Sequence, residues 1–420
     1  MAEEHVVSLE LTDGLAVVVE KIPDLKSGAS VICFRCGSRN ELPNKSGLTN
    51  LLLGLMFRQT KNKTSREIQR YIESLGAVLD SFVSKEISGI YARYLTDKLV
   101  DVWNLSEEII SLPLFTEEEL QKEKKLIENE IISDEDDAEK YLFTRFYKQL
   151  FPAHPLGNRI VGEIASISQI LLDDIKNYYN YFLGAPLCIS VAGDIDLNFV
   201  VEKAEQLKSI LKHSATNSLI NINQKVPQNI KFSSINIKKA GLLQSYTAIG
   251  WYTYSYLSKY YFPMVLANTI FGGCISSRLY YEIREKRGLV YSISSFLDFY
   301  SDVGIWGIYF VTQPKLVDKV TEIILNEVQQ LRTRGISHEE LDLARNYIKS
   351  DIVIRNENPL ARAMRNARNK LLLSRTPTIL DTLQEIEDVT LSQVNEAIAG
   401  LEGEPLVVNL IPEENDRISD

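Results

Sequence analysis

Phe115-Thr116-Glu117-Glu118-Glu119-Leu120 and, 221 residues later, Ile336-Ser337-His338-Glu339-Glu340-Leu341 are two versions of one signal. Each carries a hydroxyl residue with a glutamate three positions on, just ahead of a helix-length amphipathic stretch. That is a capping box: the hydroxyl and the carboxylate satisfy backbone N–H groups at a helix start. At the same offset Glu130-Ile131 falls on Asp351-Ile352. One capping box matches by chance easily. A match that also keeps the order of the surrounding elements points to duplication.

Working outward, the alternation of apolar residues predicts strands at Val6–Leu11, Leu15–Glu20, Ser30–Cys36, Ala77–Val83, Ile87–Leu95 and Leu187–Ala192. Thr12-Asp13-Gly14 reads as a hairpin turn between the first two. Helices are predicted at Leu48–Phe57, from Thr64 to Gly76, and at about 97–111, 116–133, 138–150 and 168–182, with a last one ending near Lys212. The acidic run Asp134–Asp137 reads as a solvated loop or a helix start. In the second half, strands are expected near 231–237, 242–251, 290–299, 303–311 and Pro405–Leu410. Helices are expected near 257–270, 276–287, 314–334, 338–371 and 391–400. The expected fold is therefore α+β: two homologous domains, each a mainly antiparallel sheet covered by helices. The boundaries are 1–212, a Ser/Thr/Asn-rich linker at 213–228, and 229–420.

Composition sets further limits. The chain has 420 residues, enough for two cores of ordinary size. Its net charge is −10, and no Lys/Arg block forms the basic face that a nucleic-acid binder needs. No apolar run reaches the roughly 18 residues of a membrane span. The start, Met1-Ala2-Glu3-Glu4-His5, lacks the features of a leader, so a soluble cytoplasmic protein is expected. Cys33 and Cys36 form a C-x-x-C, but residues three apart on a strand face opposite ways and no second cysteine pair completes a metal site.

An ordered set of stretches resembles the M16 (pitrilysin/insulinase-type) zinc peptidases across about residues 6–410. These are Gly37-Ser38-Arg39-Asn40-Glu41, Gly47–Phe57, Thr64–Gly76, Pro113-Leu114-Phe115, Glu119–Ile131, His154-Pro155-Leu156-Gly157 and Val191-Ala192-Gly193-Asp194. In the second half they are Gly272-Gly273, Ser276-Ser277-Arg278-Leu279 and Arg284–Tyr291-Ser292. The resemblance implies a two-domain subunit of the LuxS/MPP-like metallohydrolase fold. The family binds zinc through an inverted H-x-x-E-H motif and a distant glutamate. Two histidines at i and i+4 share one helix face, and the intervening glutamate serves as general base on the metal-bound water. Here Asn50 stands for the first histidine, Leu53 for the base and Gly54 for the second histidine. Only Glu130 matches the remaining ligand. One carboxylate does not hold zinc in water, so no metal is expected in this chain.

A second constellation matches. Active members present an arginine and a tyrosine seven residues apart, and Arg284 and Tyr291 keep that spacing. By resemblance they would donate to a peptide carbonyl and to the oxyanion of the tetrahedral intermediate, with Gly272 and Gly273 in the substrate-binding loop. That Gly-Gly is shorter than the Gly-rich loop of the mitochondrial α-type subunits. The implied function is a non-catalytic subunit of a heterodimeric metalloendopeptidase, inactive alone. It would pair with an M16 subunit bearing intact H-x-x-E-H and its zinc, and act on unfolded peptides. A structural or scaffold subunit with no part in catalysis is the alternative, and an independent peptidase with an unusual metal site is a third.

Overall fold

The computed structural model describes residues 5–11, 14–212, 226, 233–401 and 403–413. Apart from Val226, the expected linker lies outside the described residues, as does most of the first hairpin turn. Eleven strands are described: β1 His5–Glu10, β2 Leu15–Lys21, β3 Ser27–Phe34, β4 Val78–Val83, β5 Ser88–Leu95, β6 Leu187–Gly193, β7 Ser234–Lys239, β8 Ser245–Thr253, β9 Ser292–Phe299, β10 Gly304–Thr312 and β11 Leu406–Pro412.

Two compact units form. The first takes Met1–Ser133, Asn158–Asn223 and Val353–Leu380; the second takes Asp134–Gly157, Gln224–Ile352 and Asp381–Asp420. The first holds a six-stranded sheet in the order β1-β2-β6-β3-β5-β4, the second a five-stranded sheet in the order β7-β11-β8-β10-β9. With β1 set aside, the two orders are the same. Each has a single parallel pair, β2 with β6 and β7 with β11, and is antiparallel elsewhere. The duplication expected from the offset is thus repeated in the strand order.

One sheet face in the first unit packs on an apolar core that includes the buried Leu48–Met56 helix. The other face is covered by a helix from late in the chain, Pro359–Leu373, which lies against β2, β3 and β6. In the second unit the corresponding cover is an early helix, Ala138–Leu150, packed on β8 and β11 through Leu142, Phe146 and Leu150. The two cover helices start 221 residues apart. Equivalent segments have therefore exchanged sheets, and the units are not contiguous in the sequence. In the first unit, buried Glu20 on β2 holds its cover helix: its carboxylate accepts from Arg362, from Arg365 Nη2 at 3.1 Å and from Asn366 Nδ2 at 2.7 Å.

The single helix expected over 338–371 is two, His338–Arg355 and Pro359–Leu373. Asn358 caps the second by accepting from the Leu360 N–H, and Pro359 takes the first helical position, where its missing N–H costs nothing. The acidic run ends in a cap too: Asp137 accepts from the N–H groups of Glu139 and Lys140. Among the described residues no helix is long and apolar enough to cross a membrane.

Candidate functional site

The Leu48–Met56 helix starts at Gly47, whose φ of 91° suits glycine. Its free N–H groups are met by a side chain: the Glu41 carboxylate accepts from Gly47 N and Thr49 N, both at 2.9 Å. Thr49 Oγ1 lies 2.9 Å from Tyr178 Oη, which lies 3.4 Å from Cys36 Sγ. Glu41 is 5% exposed. Burial pushes its carboxyl up to about 7, against the opposing pull of the Thr49 and Gly47 N–H groups. This buried chain of polar contacts fixes the helix end-on.

On that helix Asn50 and Gly54 are half-buried and one turn apart, on one face. Leu53 is 1% exposed and belongs to the apolar core. The position of the general base is thus a packing residue. Gly54 is filled from outside: a Cβ built there would lie 2.3 Å from Glu123 Oε1. The other oxygen, Glu123 Oε2, accepts from Arg58 Nε at 2.5 Å. Arg58 lies in the turn just past the end of the Leu48–Met56 helix. An intrachain ion pair thus stands where a second histidine would need to reach. Glu130, two turns further along the Glu117–Asp136 helix, is exposed. Among the described residues no group of three or more His, Cys, Asp or Glu is arranged to hold a metal ion. Of the four expected positions, Leu53 is apolar core and the space beside Gly54 is taken by Glu123, while Asn50 is half-buried and Glu130 exposed.

Glu123 and Arg58 stand outside the H-x-x-E-H spacing, so the motif does not point to them. For Glu123 the available signal is helical periodicity, since it precedes Glu130 by seven residues, two turns on one face; Arg58, in the turn past the helix end, carries no such signal.

In the second unit, the helix Tyr261–Asn268 runs into a π turn, Thr269–Gly273, and a second π turn follows at Tyr280–Glu285. Gly272 is buried, and a Cβ there would lie 2.7 Å from Ser295 N of β9. Its observed task is this close approach. Gly273 is exposed. The segment between the π turns is tied down by Arg278. Its Nε and Nη2 fork onto Glu340 at 2.6 and 2.8 Å, and Nη2 also donates to Gly335 O at 2.9 Å. Glu340 in turn closes the second capping box with Ser337. Burial works against the Glu340 charge, but the Arg278 fork and the Ser337 N–H win and hold its carboxyl below the usual range.

Arg284 lies on the second π turn and Tyr291 immediately before β9, and that turn packs against β9. Both side chains are exposed, Tyr291 by 72%. Among the described residues the only side-chain partner of the Arg284 guanidinium is the Tyr280 ring, 4.8 Å below its Cζ. The Tyr291 backbone is fixed by its N–H to Val311 O at 2.8 Å, while its hydroxyl has no hydrogen bond among the described residues. The fold thus brings the elements carrying the expected pair together and leaves both polar heads facing solvent.

Family profiles match two parts of the chain, together well over half of it. One described as insulinase (peptidase family M16) covers residues 16–163, and one described as the peptidase M16 inactive domain covers 169–348. The chain is 26% identical to the uncharacterized zinc protease YmxG of Bacillus subtilis over 91% of its own length and 92% of that protein. It is 28% identical to an uncharacterized zinc protease of Rickettsia felis over 83% of each chain. Among solved structures, a protease from Helicobacter pylori superposes with a TM-score of 0.90 at 21% identity, covering 97% of this chain and all of that one. A peptidase M16 inactive domain from Pseudomonas fluorescens superposes with a TM-score of 0.88 at 20% identity, covering 98% and 99%.

Proposed function

The chain belongs to the M16 peptidase family, and from that premise we propose that it is the non-catalytic subunit of a two-chain zinc peptidase, lending Arg284 and Tyr291 to a partner that carries the metal. One contrast carries this reading. The place of the metal ligands is closed by Glu123 and Arg58, whereas Arg284 and Tyr291 keep exposed donors. Water activation then belongs to the partner's H-x-x-E-H. Arg284 offers a planar fork of N–H donors to a peptide carbonyl. Tyr291 offers an O–H to the oxygen on which charge develops as the carbonyl carbon becomes tetrahedral. Such a donor is worth about 10²–10³ in rate because it meets charge that exists only at the transition state.

The test mixes the purified chain with a homologous subunit bearing intact H-x-x-E-H and follows cleavage of a quenched-fluorescent unfolded peptide. Activity should require both chains and fall in the mixture with Arg284→Ala. A zinc-bearing subunit that is fully active alone, or a mixture indifferent to Arg284, refutes the proposal.

A further inference from the structure

The two cysteines of the C-x-x-C separate in the fold. Cys36 lies just past β3 on the side of Tyr178. Cys33 points to the opposite face, and there its register partner on antiparallel β6 is Cys188. Directly opposed residues on antiparallel strands send their side chains to the same face, with Cα atoms about 4.5–5.5 Å apart. A disulfide spans Cα separations of about 4.4–6.8 Å. Both residues are free thiols with no exposed surface. Their flanking partners in the sheet are small: Gly89 faces Cys33 on β5, and Ala16 faces Cys188 on β2. The cover helix Pro359–Leu373 closes this face, and its Lys370 is near enough to act on the Cys188 thiol.

We propose that Cys33 and Cys188 are a modification site, an oxidisable cross-strand pair that a peroxide converts to a disulfide joining β3 to β6. One cysteine, as thiolate, attacks a peroxide oxygen. The O–O bond breaks, the released hydroxide takes a proton to become water, and a sulfenic acid remains. The second sulfur attacks the sulfenic sulfur, the S–O bond breaks, and the hydroxyl leaves with the second thiol's proton as water. Two thiols and one hydrogen peroxide give one disulfide and two waters. The two sulfurs together lose two electrons and the peroxide gains them. Burial pushes both thiols up, that of Cys188 to about 12, which keeps the thiolate scarce and the reaction slow at neutral pH. Peroxide reaches the pair through local opening of the cover helix, which Glu20 restrains.

The experiment treats the full chain, folded and carrying Cys274→Ser to remove the partly exposed thiol, with hydrogen peroxide near pH 8.5. Remaining thiols are then alkylated and the peptides mapped by mass spectrometry. The expected result is loss of two hydrogens and a single cross-linked peptide pair containing Cys33 and Cys188, with Cys36 still free to alkylate after unfolding. Reduction restores the starting mass. Glu20→Gln, which loosens the cover helix, should raise the rate several-fold. Cys188→Ala should abolish the cross-link, and alanine suits this small-residue face. If that variant does not fold, the peptide map of the parent decides. A link from either cysteine to Cys36, sulfinic or sulfonic acid at Cys33 or Cys188 in place of the link, or unchanged thiols after a day in peroxide overturns the proposal.

Discussion

The first and second units use one sheet order but dispose of charge in opposite ways. In the first, the carboxylates of Glu123 and Glu41 beside the helix Leu48–Met56 have fixed partners. Glu123 is held by Arg58, and Glu41 by the backbone of Gly47 and Thr49. On the far face Glu20 is held by Arg362, Arg365 and Asn366. In the second, Arg278 is locked by Glu340, but six residues later the Arg284 guanidinium has, among the described residues, only an aromatic ring as side-chain partner. A charge whose bonds are filled inside the chain serves structure. A charge backed by a ring, with its N–H groups facing water, has capacity left for a ligand. On the proposed function, this spare capacity places the donated groups in the second unit.

The largest effect should come from the filled side. Glu20 is 1% exposed and carries the cover helix of the first unit. Removing one member of a buried ion cluster leaves the others uncompensated and costs about 3–5 kcal/mol. Glu20→Ala should therefore lower the urea midpoint sharply. An unchanged midpoint would show that the cover helix is held by its apolar side alone.

The next effect belongs to the open side. Arg284→Ala in the mixed peptidase assay should reduce kcat/KM by about 10²–10³, the usual worth of one transition-state donor, with no change in thermal unfolding. Tyr291→Phe should behave alike. If either variant loses stability instead, the exposed pair is structural and the contrast between the units dissolves.

Much of this was open to sequence reasoning, for reasons that differ by element. The duplication shows because capping boxes are local and recur at a fixed offset, as with Thr116 and Ser337. The exchange of the cover helices does not show. The apolar faces of 138–150 and 359–373 say that each helix is covered, and nothing in an amphipathic pattern says which sheet covers it. The break in 338–371 was written in Asn358-Pro359, a cap followed by a first-position proline, but the run of good helix formers on both sides outweighs it in a window reading. Asn50, Leu53 and Gly54 read from the sequence as departures from H-x-x-E-H. That Glu123 moves into the space of Gly54 depends on the meeting of two helices distant in sequence, and no spacing rule contains it.

A pH titration separates the two units again. Glu41 titrates near 7 in the folded chain against 4.5 in an open one. Below 4.5 both states hold the proton and the stabilising contribution is whole. Between 4.5 and about 7 the unfolded chain gives up its proton first, so stability falls as pH rises. The fall is about 1.4 kcal/mol per unit, roughly 3 kcal/mol in all, and it levels above 7. Glu340 has the opposite sign: its carboxyl is held low, so its contribution is present above the ordinary glutamate range and is lost as pH falls through its folded value. Glu41→Gln should flatten the decline measured by urea unfolding between pH 5 and 8. A decline that survives the substitution assigns it to another group.

The smallest effect tests what fills the Gly54 space. The Arg58–Glu123 pair is partly open to water, with 26% and 12% of the side chains exposed, and such pairs contribute about 1 kcal/mol or less. Arg58→Met should therefore cost little stability, keeping the apolar part of the side chain while deleting the charge. Gly54→Ala asks more of the site, because its Cβ would meet Glu123 Oε1 at 2.3 Å. The carboxylate must swing aside, and it does so more easily once Arg58 no longer holds it. In a double-mutant cycle the penalty of Gly54→Ala should thus be smaller in the Arg58→Met background than in the parent, by a few tenths of a kcal/mol to about 1 kcal/mol. Equal penalties in both backgrounds would mean that Arg58 does not hold Glu123 in the vacated place, and the closed side of the comparison would lose its physical basis.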